Sequence, residues 1–433
     1  MSSSLLSVLK WLDATDLEPK SAVIQHAQWL VLDTMGCVMA GLKAEPVEAY
    51  IHNASAADGG NFRFLTTQVN GLSASHAAAA LAMAACWDEA CEGHAKAHGR
   101  PGVAALAALI PFSAKLTYGQ FLKSFVVGYE VGARMGASLR INKGMHVDGN
   151  WPALGAAAAV AHALGLTPEQ IEQAVNLAAC QMPMSIYLPI RSGSTARNTY
   201  LGHAAQLGQN AALAVASGIT TPLHAVTEYS QVGLGKAALP LDESHQFQIL
   251  EAYFKPYAAV RHVHYGALAA HALHASVELE NIEGMVLSVY EEATVYCGNR
   301  APQTPLQAQF SLSFGVAAMI KWGRLDPWVY KEPQFSNEQV RSLEALIKIE
   351  VNPVWTRQLA RAAQLTVDLK DGTQLSKTIL AVPGDLQMPF TKETLLEKFV
   401  NYCLGSLSVE QANVWATELL DVNLSHQPFH FWH

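Results

Sequence analysis

Helices built from small residues are what most limits the ways this chain can fold. The stretches SASHAAAALAMAAC (73–86), VAALAALIPFSAKL (103–116), GAAAAVAHALGL (155–166) and SGSTARNTYLGHAAQLGQNAALAVASG (192–218) are dominated by Ala and other small or apolar residues. Alanine is the best helix former because ordering it loses no side-chain rotamers. A helix that is apolar on every side has to be buried among other helices. Residues 20–43 read as another buried helix, with Gly41 as its stop. In 117–139, Gly128, Gly132 and Gly136 recur every fourth residue, a spacing that lets a second helix approach closely. TPEQ at 167–170 is a capping box with Pro at the first helical position. A polar interlude occupies 53–70, and up to about residue 255 no convincing period-2 strand occurs. An all-α body packed through Ala and Gly follows.

After that point the texture changes. Residues 284–296 and 346–351 are β-branched and alternating, and 364–382 reads as a hairpin turning at Asp371-Gly372. Helices at 264–279 and 308–322 lie between them, and helices at 392–404 and 409–419 close the chain. The expected architecture is mainly α. A large helical domain is built from both chain ends (1–255 with 385–433), and a smaller α+β lid domain spans 256–384.

A length of 433 residues already favours two domains over one core. Half the residues are hydrophobic and only 15% are charged, so a large buried volume and an apolar oligomer interface are expected. The net charge of −8 comes without any basic run, which argues against a nucleic-acid partner. The N-terminus lacks a basic segment followed by an apolar core, and no uninterrupted apolar run approaches the ~18 residues of a membrane span. Six scattered cysteines without a C-x-x-C pair fit reduced thiols in the cytoplasm. They are too dispersed for a structural zinc or an iron–sulfur cluster.

Four polar islands interrupt the apolar chain. WDEACEGHAKAHGRPG (87–102) packs Asp88, Glu89, Glu92, His94, Lys96, His98 and Arg100 between two apolar helices. Gly99, Pro101 and Gly102 then break the backbone. The second island holds His146, the third Arg197, and the fourth, FKPYAAVRHVHYG (254–266), holds Lys255, Arg261, His262 and His264. Each lies where a loop feeds a helix N-terminus, where backbone N–H groups and the helix dipole favour an anion. Binding of a di- or tricarboxylate with His or Asp moving a proton is the chemistry suggested. His94 and His98 stand four apart and could ligate a metal, but no H-E-x-x-H is present and glycines bracket the pair, so no metal is expected. Taken singly, each island also reads as ordinary structure: a solvated loop, a backbone-bonded histidine, an interface arginine, cations paired across a domain seam. Asp148 and Glu130 read as structural.

These segments resemble the MmgE/PrpD family, which includes 2-methylcitrate dehydratases, cis-aconitate decarboxylases and iminodisuccinate epimerases. LVLDTMGCVMAG is similar to the family's N-terminal helix, and DEACEGHAKAHGRPG to its acidic, H-P-S-G-like segment, which places Asp88 and His98 on the acidic and histidine positions. MHVDGNWPALG carries His146 nine residues before Gly155, TARNTYLGHAA resembles K-x-x-H-x-G-x-A-A, FKPYAAVRHVH resembles K-P-Y-x-x-x-R-x-x-H, and AQFSLSFG resembles the F-S-L helix with Ser311 and Phe314 aligned. The family's lysine in the third segment is Arg197 here, a poor base, and a tyrosine sometimes found on the F-S-L helix is Phe314.

The resemblance implies a cofactor-independent homodimeric lyase or isomerase that abstracts a proton α to a carboxylate. Asp88, His98 and His146 are then the catalytic candidates. Arg197, Lys255, Arg261, His264, His94 and Ser311 are the substrate-binding candidates. Dehydration of 2-methylcitrate leads, followed by epimerisation of iminodisuccinate and decarboxylation of cis-aconitate. A polycarboxylate-binding relative without catalysis, and a metal-dependent hydrolase using His94 and His98, are the readings from other classes.

Overall fold

A computed structural model of the chain describes residues 4–64, 71–421, 423, 426 and 427; the last part of the polar interlude, 65–70, lies outside the described residues. Helices account for 59% of the structure and strands for 11%, so the fold is mainly α. The helix Ala22–Gly41 runs through the middle of the body with most of its residues buried, and its end touches Ala74–Trp87. A Cβ on Gly41 would come within 2.0 Å of the Ala84 carbonyl oxygen, so glycine sets how closely these two helices approach. The glycine stripe has the same role. Gly128 and Gly132 of the helix Tyr118–Ser138 face Gly155 of Pro152–Ala163, and a Cβ on Gly155 would stand 2.7 Å from the Gly128 carbonyl oxygen. The capping box at Thr167 and Gln170 forms, starting the helix Pro168–Ala179. Before residue 255 the described residues contain only very short strands, Gly59–Phe62, Gly93–His94 and Ala252–Tyr253.

The smaller part carries a four-stranded sheet. Ile282–Val289 pairs in parallel with Ile347–Val351 and antiparallel with Ala363–Leu369, which pairs antiparallel with Gln374–Ile379 across the turn at Asp371-Gly372. Two expectations need correction. The alternating run 284–296 is a strand only to Val289; Glu291–Cys297 is a helix, with two acids in its first turn where the dipole favours them. The helix expected at 308–322 breaks at Ser311, whose hydroxyl caps Leu312–Trp322 by accepting the Phe314 N–H at 3.2 Å.

The C-terminal helix Lys392–Cys403 returns to the body and packs along Ala22–Gly41, with Phe399 against Gly36. Lys398 Nζ, almost fully buried, donates to Asp33 Oδ1 at 2.6 Å and to the Ala90 carbonyl at 2.8 Å. Both ends of the chain thus support the loop that follows Trp87. Among the described residues, no helix is long and apolar enough to cross a membrane.

Candidate active site

The helix Ala74–Trp87 ends at Asp88, and the next residue, Glu89, has a left-handed backbone with φ 53°. For a residue with a Cβ this conformation costs free energy, and such strain is concentrated at functional positions. It turns Glu89 away from Asp88 and into the protein. The loop then pairs Gly93–His94 with Ala252–Tyr253, which brings Lys255 alongside. Only glycine fits at residue 93, because a Cβ would meet the Tyr253 ring at 2.4 Å. His98 has a left-handed backbone too, φ 55°. Glu92, fully buried, receives the Gly102 N–H at 2.8 Å and so occupies the N-terminus of Pro101–Leu109.

Around this loop lies a cavity of about 410 Å³. Its wall contains six cationic side chains, Arg100, Arg140, Arg197, Lys255, Arg261 and Arg361, against three carboxylates, Glu89, Asp148 and Glu292. Lys255 Nζ donates to Glu89 Oε1 at 2.8 Å, Arg100 Nη1 to Glu89 Oε2 at 3.1 Å, and Arg197 to the same oxygen. Arg100 also pairs with Asp148, and Arg197 Nη2 stands 3.4 Å from that carboxylate. All five side chains are buried. Burial opposes ionisation of Glu89, but Arg100, Arg197 and Lys255 outweigh it and hold the carboxyl well below its ordinary range. Asp148 is lowered as well, by Arg100 and then His146 against the same opposing burial.

Three donors in this wall have nothing to bond. Arg197 Nε, Arg261 Nε and His94 Nε2 are buried without a partner among the described residues. Arg261 is otherwise paired with Asp385 and stacked 4.7 Å over the Tyr253 ring. Arg361, half-buried in the same wall, has no ion pair among the described residues.

Three imidazoles line the cavity besides His262. His146 Nδ1 accepts the Asp148 N–H at 3.1 Å, and His94 Nδ1 accepts the Ala97 N–H at 3.2 Å. Each neutral ring therefore carries its proton on Nε2 and acts as a donor. Burial lowers both to about 4. His262 Nδ1 is engaged with the Tyr290 hydroxyl. Among the described residues, His98 alone of these rings makes no hydrogen bond through either nitrogen. Desolvation, then Arg140 and Arg361, lower it to about 4, although the residue is exposed.

Of the residues expected from sequence, His94, His98, His146, Arg197, Lys255 and Arg261 line this one cavity. Asp88, His264 and Ser311 do not. Asp88 faces a separate cavity, because the turn at Glu89 points the two neighbouring acids in opposite directions. His264 is in the core, its Nε2 2.9 Å from the Ala259 carbonyl, and Ser311 is a helix cap whose hydroxyl donates to Asn299 at 2.7 Å. Asp148, read from sequence as structural, lies at the centre of the charge network. Glu130 does brace the fold, pairing with Arg134 and accepting the Gln248 and Ile249 N–H groups. Glu89 and Arg100 stood in the first island without an assigned role. Arg361, Tyr187 and Tyr296 carried no local signal, since each comes from a segment that looks ordinary on its own.

Cis-aconitate decarboxylase of Homo sapiens is 24% identical to this chain over 410 residues, covering 87% of the chain and 82% of that protein. The Mus musculus cis-aconitate decarboxylase is 25% identical over 324 residues, 69% of the chain and 64% of its own length, so this second match spans less than two thirds of the mouse protein. Residues 7–244 match the MmgE/PrpD N-terminal domain and 257–424 the MmgE/PrpD C-terminal domain. Between them these matches take in nearly the whole chain, which therefore belongs to the MmgE/PrpD family.

Proposed function

We propose that the protein is a cofactor-independent lyase or isomerase that moves a proton on a carbon next to a carboxylate of a small di- or tricarboxylic acid. The observation that carries this reading is the set of unused buried donors, Arg197 Nε, Arg261 Nε and His94 Nε2, in a wall with twice as many cations as carboxylates. A buried N–H without a partner is costly, and a ligand carrying several acceptor oxygens removes that cost. Arg361 and Lys255, the latter with one ammonium hydrogen left after its two bonds to Glu89, add fixed positive charge.

In this reading His98 is the base. Its ring is neutral and uncommitted, and the negative charge of a bound polycarboxylate beside Arg140 and Arg361 raises its proton affinity when it is needed. Removing the α proton places charge on the adjoining carboxylate, where Arg197 and Lys255 stabilise it as it develops. For a dehydration, the proton that His98 takes from carbon is passed on to the departing hydroxyl, which leaves as water, while the His146 Nε2–H can hydrogen-bond that oxygen. For a decarboxylation, the carboxylate departs as carbon dioxide and the carbon left behind takes up a proton that His98 relays from solvent. Dehydration of 2-methylcitrate remains the first candidate, with decarboxylation of cis-aconitate and epimerisation of iminodisuccinate beside it; the named activity of the two decarboxylase relatives supports testing the second equally.

The test is to incubate the protein with each acid in deuterium oxide and follow carbon-bound protons and products by NMR. Deuterium incorporation with product from one of them is expected; no exchange with any overturns the reading. The same reading includes a homodimer in the cytoplasm, supported by the exposed apolar side chains Met184, Ile186 and Leu188, and light scattering tests the dimer.

A further inference from the structure

A second cavity, of about 460 Å³, lies on the other side of the wall from the first. Lys43, Asp88, Asn198, Gln309, Tyr330 and Lys331 are among its lining residues. Three pairs of neighbours in sequence form the partition. Asp88, Asn198 and Gln309 face the second cavity, while Glu89, Arg197 and Phe310 face the first. The partition is tightly coupled: Asn198 Oδ1 accepts from Arg197 Nη1 at 3.2 Å, and Gln309 Nε2 donates to the Trp87 carbonyl at 3.2 Å.

Two polar atoms in this second cavity lack partners. Tyr330 Oη and Gln309 Oε1 are buried with no hydrogen bond among the described residues, and the two residues are 6% and 4% exposed. Native proteins rarely leave such groups unmet, so a ligand or ordered solvent belongs here. The chemistry is mixed. Lys43 and Lys331 offer positive charge beside two acids, Asp88 and Glu45, while Gln309 Oε1 requires a hydrogen donor. Lys43 spends one hydrogen on the Leu404 carbonyl and has two left.

We propose that this cavity is a second ligand site, separate from the catalytic one, that takes a small hydroxymonocarboxylate. The carboxylate lies toward Lys43 and Lys331, and the hydroxyl donates to Gln309 Oε1 while accepting from Tyr330. A ligand there bears on the backs of Glu89 and Arg197, so its occupancy is felt in the first cavity through the shared partition.

L-lactate serves as the probe, titrated into the full chain and followed by saturation-transfer NMR. Gln309→Leu and Tyr330→Phe each remove one buried acceptor or donor, and Lys331→Met removes an exposed charge that the fold does not need. Each is expected to weaken lactate binding about tenfold. Lys255→Met, in the first cavity, leaves lactate binding in place. Lactate that does not bind, or binds equally well to Q309L and K331M, overturns the proposal, and so does binding abolished by K255M. None of these outcomes depends on whether the first cavity turns over a polycarboxylate.

Discussion

Lys255 lies 166 residues beyond Glu89 in sequence, yet its ammonium group donates to both the backbone carbonyl of Glu89, at 3.0 Å, and its side chain, at 2.8 Å. One acid thus fixes a lysine from the far end of the body while also holding Arg100 and Arg197.

Replacing that acid leaves three buried cations facing one another. Removing one partner from a buried ion pair costs about 3–5 kcal/mol. Glu89→Gln should lose stability of that order in urea unfolding at neutral pH. Because the folded carboxyl titrates well below its unfolded value, the difference is fully present above the unfolded range. It should shrink as pH falls toward the folded value.

Glu92 has the opposite sign. Burial raises it to about 8, so the folded protein holds a proton that the unfolded chain releases above the ordinary carboxyl range. Wild-type stability should therefore decline with rising pH over that window, by at most about 1.4 kcal/mol per pH unit from this group. Glu92→Gln, followed by chemical denaturation across the same window, should flatten the decline.

His98→Ala should lower kcat by about 10²–10⁴-fold, the usual contribution of a positioned base. In the wild type, kcat/KM should rise as pH passes upward through about 4 and show no inflection near the ordinary imidazole value. The inflection at about 4 should be lost in His98→Ala. The profile of kcat, which reports the complex, should be displaced upward by the bound carboxylates.

Arg361 and Arg261 should separate binding from stability. Arg361 has no ion pair to lose among the described residues, so Arg361→Met should raise KM by roughly 10-fold or more, in line with about 1.5–3 kcal/mol for a charged hydrogen bond, and leave the melting temperature nearly unchanged. Arg261→Met removes the partner of Asp385 and should lower both affinity and melting temperature.

Packing can be tested away from the chemistry. A Cβ on Gly128 would stand 2.6 Å from Ala159 Cβ and 2.8 Å from the Gly155 carbonyl oxygen. Gly128→Ala should cost about 1–3 kcal/mol in unfolding experiments, as overpacking usually does.

Much of this was legible before any coordinates. Polar residues that interrupt alanine-rich helices are too costly to bury idly, and that reasoning brought His94, His98, His146, Arg197, Lys255 and Arg261 forward from the sequence; the structure gathers them in one cavity. The choice between Asp88 and Glu89 was not legible. It turns on one backbone angle at Glu89, and adjacent acids look alike in a sequence. His264 and Ser311 are polar for local reasons, a backbone contact and a helix cap, that motif resemblance does not distinguish from contact with a substrate. Arg361 escaped because it follows a short turn beside a strand and meets the cavity only through tertiary packing.

The bond from Lys398 to the Ala90 carbonyl also bears on how the protein is made. Ala90 is translated early, and its tether late. A nascent chain can assemble the alanine-rich helices as they emerge, and Arg100, Arg197 and Lys255 can then hold Glu89, but the Ala90 carbonyl waits for its partner until Lys398 has left the ribosome. The last support of this bend is therefore added only once nearly the whole chain has been made.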